Sequence, residues 1–112
     1  MVTEPLIKLN LSPQHEVFEF LVDSGAKKSA VQKLPSGCVE SKDKLQVIGA
    51  KGEPFKVPLI RNVTIETPNK YRVGTFLLVP ETGYNLLGRE LMVELGINLE
   101  VDQEKLKIRL CY

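Results

Sequence analysis

Glu16-Val17-Phe18-Glu19-Phe20-Leu21-Val22-Asp23-Ser24-Gly25 is the stretch that decides how this chain folds. Its β-branched and aromatic run predicts a strand that delivers a carboxylate directly into a glycine turn. An Asp at the end of a buried strand is costly to strip of water, so it needs either a partner or a task. Two such carboxylates sharing one proton can activate a water molecule. The tripeptide Asp23-Ser24-Gly25 occurs once, so the chain supplies only one of the two. Taken alone, the same residues also fit an ordinary turn, with Asp23 accepting from nearby backbone N–H groups and Gly25 at positive φ.

Outward from this stretch the chain reads as a succession of strands. Leu6 to Leu11 precedes it, broken by Ser12-Pro13-Gln14, and Ser29 to Gln32 continues it as a short strand. The segment from Leu34 to Lys44, with Pro35, Ser36, Gly37 and several charges, reads as a loop. Leu45 to Ile48 and Phe55 to Leu59 flank Gly49-Ala50-Lys51-Gly52-Glu53-Pro54, a hairpin with a glycine-bearing tip over about 45–59. Arg61 to Glu66 and Tyr71 to Val79 form a second hairpin around Thr67-Pro68-Asn69-Lys70. One helix follows, Arg89 to Leu95, bracketed by Gly88 and Gly96, with Leu91, Met92 and Leu95 on one face. A terminal hairpin over about 97–110 closes the chain, with strong alternation in Lys105-Leu106-Lys107-Ile108-Arg109-Leu110. The expectation is an all-β domain with one short helix near its end.

Composition narrows the function classes. A chain of 112 residues, 43% hydrophobic and 26% charged, is a single ordinary globular domain over 1–112. A net charge of +1, with Lys27-Lys28 the only adjacent basic pair, offers no case for nucleic acid or an anionic membrane as partner. No apolar run is long enough to span a bilayer, and no signal peptide is expected from this stretch. Met1 followed directly by folding sequence suggests either a piece given its own start or a fragment cut from a longer precursor. Cys38 and Cys111 lie far apart without ligand spacing and read as reduced thiols. His15, the only histidine, sits in a polar turn, so a metal site lacks ligands and no cofactor is expected.

Three features stand in order: the strand ending in Asp23-Ser24-Gly25-Ala26, the glycine-tipped hairpin, and Asn85-Leu86-Leu87-Gly88-Arg89-Glu90-Leu91. In this the sequence resembles the retroviral aspartic proteases, the retropepsins, most of all the gammaretroviral and endogenous-retrovirus type. The resemblance runs from about Pro5 to Leu99. It implies a closed acid-protease barrel working as a symmetric homodimer, with Asp23 of each copy as catalytic aspartate. Two such carboxylates lie too close to ionise together and share a proton. Ser24 would brace the two turns across the two-fold axis, and Gly25 would allow backbone approach. Gly25, Lys27 and Lys28 would hold an extended peptide through main-chain bonds while Ala26 lines a pocket. Leu21, Ala30, Ile48, Tyr84 and Leu86 would be pocket walls, implying apolar residues on either side of the cut. For Leu21 and Leu86 plain core packing is an equal alternative. Gly49, Ala50 and Lys51 would form the tip of a flap closing over the substrate.

The chain departs from that pattern in three places. Lys51 stands where many relatives carry an apolar flap residue. Arg89 in such proteins ties the helix to an acidic residue just after the turn, but here that position is Lys27, so Arg89 needs another partner or points to solvent. The chain also continues past Val101 into a full hairpin, which would bury Ile108 and Leu110 in the dimer interface unless it is a remnant. The implied function is release of itself and its neighbours from a viral or endogenous-element polyprotein, in the host cytoplasm or the virion. A retroviral-like domain of a eukaryotic ubiquitin-shuttle protein, or a silent dimerisation or peptide-binding module of the same fold, are the rival readings.

Overall fold

The computed structural model describes residues 5–48, 52–67, 70–102 and 105–110, with side chains for those before residue 100. Seven strands precede the helix: β1 (Leu6–Leu11), β2 (Glu16–Val22), β3 (Ala30–Val31), β4 (Glu40–Ile48), β5 (Pro54–Glu66), β6 (Tyr71–Leu78) and β7 (Asn85–Leu87). Then come α1 (Arg89–Leu95), β8 (Ile97–Asp102) and β9 (Lys105–Leu110). The first seven strands form one sheet in the order β1-β2-β7-β3-β6-β5-β4. Asn10 and Leu11 of β1 pair with Glu66 and Ile65 of β5, which closes six of the seven strands into a ring. Closure removes the open edges from these strands. The expected closed barrel with one short helix is what the chain forms.

Alternation along β2 drives this arrangement. Phe18, Phe20 and Val22 point inward and are nearly solvent-free, while Glu19 points out. Inside the ring Phe20 stacks against Phe76 at 5.6 Å between centroids, with Phe18 a further 6.3 Å from Phe20. Helix α1 adds Leu91, Met92 and Leu95 to the same core, as the spacing predicts. Gly96 ends the helix in the left-handed region (φ 68°), its N–H reaching the carbonyls of Met92 and Val93.

Two boundaries differ from the sequence reading. The segment read as a loop up to Lys44 is already strand from Glu40, where β4 pairs with Ile60 of β5. Lys42, Asp43 and Lys44 are exposed there, and a strand paired on one side only accommodates such charge. Asp43 meets Arg61 across the pair at 3.0 Å. The two expected hairpins also share one long strand: β5 runs unbroken from Pro54 to Glu66. Its register slips between Ile60 and Val63, where Asn62 takes φ 59°. That slip marks the place where the sequence reading ended one hairpin and began the next.

Strands β8 and β9 pair with each other as a separate two-stranded sheet, Ile97 opposite Leu110 and Leu99 opposite Ile108. The expected terminal hairpin is therefore present, and Ile97 anchors its start in the main core. The side chains of Ile108 and Leu110, on which the expected burial turned, lie outside the described residues. Among the described residues no helix is long and apolar enough to cross a membrane.

Candidate active site

Strand β2 runs parallel to β7, Leu21 beside Leu86 and Val22 beside Leu87. At the end of this pair the Asp23 N–H donates to the Leu87 carbonyl at 2.9 Å, so the carboxylate emerges where two central strands stop. Asp23 Oδ1 accepts from the Gly25 N–H at 2.9 Å, and the Ala26 N–H reaches back to the Asp23 carbonyl at 3.1 Å. Gly25 is not in the left-handed region, so positive φ is not why glycine stands there. A Cβ on Gly25 would come within 3.2 Å of Asp23 Oδ1, crowding the group it binds. Asp23 itself is half-buried, whereas Ser24, Gly25, Lys27 and Lys28 are exposed.

The Asn85-to-Leu91 motif grips this turn from behind. The Arg89 N–H donates to Ala26 O at 2.8 Å and the Glu90 N–H to Lys27 O at 3.3 Å. The Gly88 N–H donates to Ser29 Oγ at 2.8 Å. Gly88 is indispensable to the grip, because a Cβ there would sit 2.5 Å from Lys28 O and 2.9 Å from Ala26 O. Asn85 adds a cross-strand clamp, accepting from the Gln32 N–H at 2.9 Å and donating to Glu19 O at 3.0 Å.

Arg89 is exposed and forms no ion pair among the described residues. A different pair joins the same two segments: Lys28 Nζ lies 3.0 and 3.1 Å from the two oxygens of Glu90. The brace is thus charge-inverted and moved one residue along each segment. Both partners are about half exposed, so the pair is worth on the order of 0–1 kcal/mol, less than the backbone bonds beside it.

The expected pocket residues separate into groups. Leu21 and Leu86 are half-buried neighbours across β2 and β7. Ala30 is buried in a small apolar cluster with Val57 and Leu77, apart from the main core. Ile48 is 76% exposed and Tyr84 46% exposed, so both present surface to solvent. Gly49, Ala50 and Lys51 lie outside the described residues. Val57 and Leu77 were not foreseen as neighbours of Ala30: the pairing of β3 with β6 sets Leu77 beside it, and Val57 of β5 packs into the same cluster.

Ser29 was also missed. It is 2% exposed, the one polar side chain buried among the described residues, and its only outward signal is its place after two lysines. Ser29→Ala should leave the buried Gly88 N–H without an acceptor and cost about 1–3 kcal/mol. Urea denaturation checks this: an unchanged midpoint would mean that the Gly88 N–H finds another acceptor.

Among the described residues no second carboxylate bonds to the groups of the Asp23-Ser24-Gly25 turn. His15 pairs instead with Glu66 at 2.8 Å, and Ser12 Oγ donates to the same Glu66 oxygen at 2.7 Å. Those bonds, the serine's first, hold the Glu66 carboxyl below the ordinary carboxylate range. The seven residues of β2, about 23 Å of extended chain, separate His15 from Asp23. No group of residues suited to hold a metal ion occurs among the described residues. Cys38 directs its thiol at Ser12 O, and burial pushes that thiol up, while Cys111 lies outside the described residues. Two open concavities of about 780 and 510 Å³ lie on the surface, and Asp23 lines neither. One copy of the chain therefore presents a single well-held carboxylate at an open surface. That arrangement can accept or hold a proton, but it cannot act as acid and base at once. The family model for retroviral aspartyl proteases matches residues 2–100, which takes in both motifs and every strand of the ring, and the chain belongs to that family.

Proposed function

We propose that the chain is an aspartic endopeptidase that works as a homodimer, with Asp23 of two copies facing each other over one water. The observation that carries this reading is the Asp23 carboxylate at the end of the β2–β7 pair, its backbone N–H bonded to Leu87 O and its Oδ1 accepting from the Gly25 N–H. The pair shares one proton. The ionised member takes a proton from the water as it attacks the scissile carbonyl, and the protonated member hydrogen-bonds the developing oxyanion. The leaving nitrogen is then protonated, and no metal, cofactor or covalent intermediate takes part.

Substrate binds as an added strand along Gly25, Lys27 and Lys28, its side chains directed at Ala26, Ala30, Leu21, Leu86, Ile48 and Tyr84. The hairpin of β4 and β5, with Gly49, Ala50 and Lys51 at its tip, closes over it. Ser24 braces the two turns. The lone β8–β9 hairpin supports the dimer, because a two-stranded sheet is marginal by itself and a partner's hairpin would extend it. Ile108 and Leu110 would then lie in the shared interface. The cellular role that fits best is processing of a viral or endogenous-element polyprotein of gammaretroviral type, in the virion or the host cytoplasm, at extended apolar sites.

Molar mass and peptide cleavage measured on one dilution series test the proposal. A dimer at high concentration is expected, with specific activity collapsing as it dissociates and a statine-type inhibitor abolishing cleavage. A monomer that stays single when concentrated, or a dimer that binds the peptide and never cuts it, rejects the reading in favour of a silent binding module.

A further inference from the structure

The larger concavity, about 780 Å³, is within the range of about 300–1,000 Å³ typical of ligand clefts. It lies between α1 and the outer face of β4, β5 and β6, and begins at Lys28, just beyond the Asp23 turn. Its inner end is the small apolar cluster of Ala30, Val57 and Leu77, since Leu77, Leu45 and Leu59 belong both to that cluster and to the groove lining. The groove therefore continues the surface on which substrate is proposed to lie. Farther out, Val73 on β6 and Val93 on α1 face it at 62% and 80% exposure, an apolar lining that nothing among the described residues covers.

Its charges are unequally matched. Lys28 is occupied by Glu90 and Arg61 by Asp43, each at 3.0 Å. Glu94, on the same wall as Val93, has no ion-pair partner among the described residues. Exposed valines beside one uncompensated carboxylate suit an apolar side chain with a cation next to it. We propose that this groove is a flank-binding subsite, taking an extended stretch of the polypeptide substrate in which an apolar residue adjoins a lysine or arginine. It rests on the endopeptidase reading and extends the contact with substrate well beyond the bond that is cut. Helix α1 then has two duties: Leu91, Met92 and Leu95 hold the core, and Val93 and Glu94 choose the flank.

The experiment compares an apolar core peptide with the same peptide carrying a Leu-Lys-Val-Lys flank at either end. On the wild-type protein one flanked peptide is expected to gain about tenfold in kcat/KM over the core peptide, from apolar burial plus an ion pair. Within Glu94→Lys, and within Val93→Asp, the ratio of flanked to core peptide should fall towards unity. A ratio that stays the same in these variants overturns the proposal. Amide NMR of Asp23→Asn with the uncut flanked peptide decides the matter independently of cleavage. Saturable shifts at Thr75, Val93 and Glu94, lost in the double variant with Glu94→Lys, support the subsite even if no peptide is hydrolysed. Shifts confined to the 23–28 turn, or shifts at the groove that arise from concentrating the protein without peptide, overturn it, the latter by making a second copy the occupant.

Discussion

Asp23→Asn is expected to give a folded protein that cuts no peptide, with kcat/KM down at least about a thousandfold. The amide oxygen of Asn can still accept from the Gly25 N–H, and the backbone bond from residue 23 to Leu87 O is untouched, so the turn keeps its shape. What disappears is the group that can take up and return a proton. Because both copies carry the change, the acid and the base are lost in one substitution. Mixing adds a sharper measurement. When wild-type and Asp23→Asn chains are refolded together in equal amounts, activity should fall to about a quarter, the statistical share of all-wild-type pairs in a two-fold dimer. A fall merely in proportion to dilution would mean that each copy works alone, and residual cutting by pure Asp23→Asn would mean that another residue carries the chemistry.

The parts of this site that could be read from the sequence are those whose determinants are local. Strand β2 announces itself through Phe18, Phe20 and Val22, the turn through Asp23 and Gly25, and the helix through Leu91, Met92 and Leu95 between two glycines. Long-range determinants were hidden. Lys42, Asp43 and Lys44 look like loop residues because charge is normally solvated, yet an edge strand leaves them in solvent and keeps its backbone paired. Ser29 looks like part of a polar surface segment, and it is buried only because Gly88, far along the chain, comes down on it. The absence of a carboxylate beside Arg89 was legible, and so in principle was its substitute. Opposite charges stand at Lys28 and Glu90, one position along from the expected pair, but only the pairing of the two segments reveals that these positions meet. The family match adds the membership among retroviral aspartyl proteases that geometry in a single copy cannot establish.

The second large effect is expected at Gly88, a residue with no side chain to contribute to chemistry. In Gly88→Ala the new methyl group would lie 2.5 Å from Lys28 O, 2.6 Å from Lys28 C and 2.9 Å from Ala26 O. All three are backbone atoms, so no rotamer change relieves the clash, and the junction has to open by about 1 Å to reach ordinary contact distance. The bonds most directly stretched are those from Gly88 N–H to Ser29 Oγ and from Arg89 N–H to Ala26 O, both 2.8 Å. Overpacking costs about 1–3 kcal/mol and each lost bond about 1 kcal/mol more, for a total of about 3–5 kcal/mol. For a domain with the usual 5–15 kcal/mol in hand, the expected consequence is a drop in Tm of about 10 °C or more. Activity should fall with it even in the fraction that stays folded, because the same junction sets where Asp23 stands. Gly83→Ala is the matched control: its Cβ would meet nothing within 4 Å and its φ is not left-handed, so its stability should stay within about 0.5 kcal/mol of the parent. If calorimetry shows Gly88→Ala and Gly83→Ala melting together, α1 does not press on the 23–29 turn in solution as closely as described. The positioning of Asp23 by the second motif would then have to be abandoned.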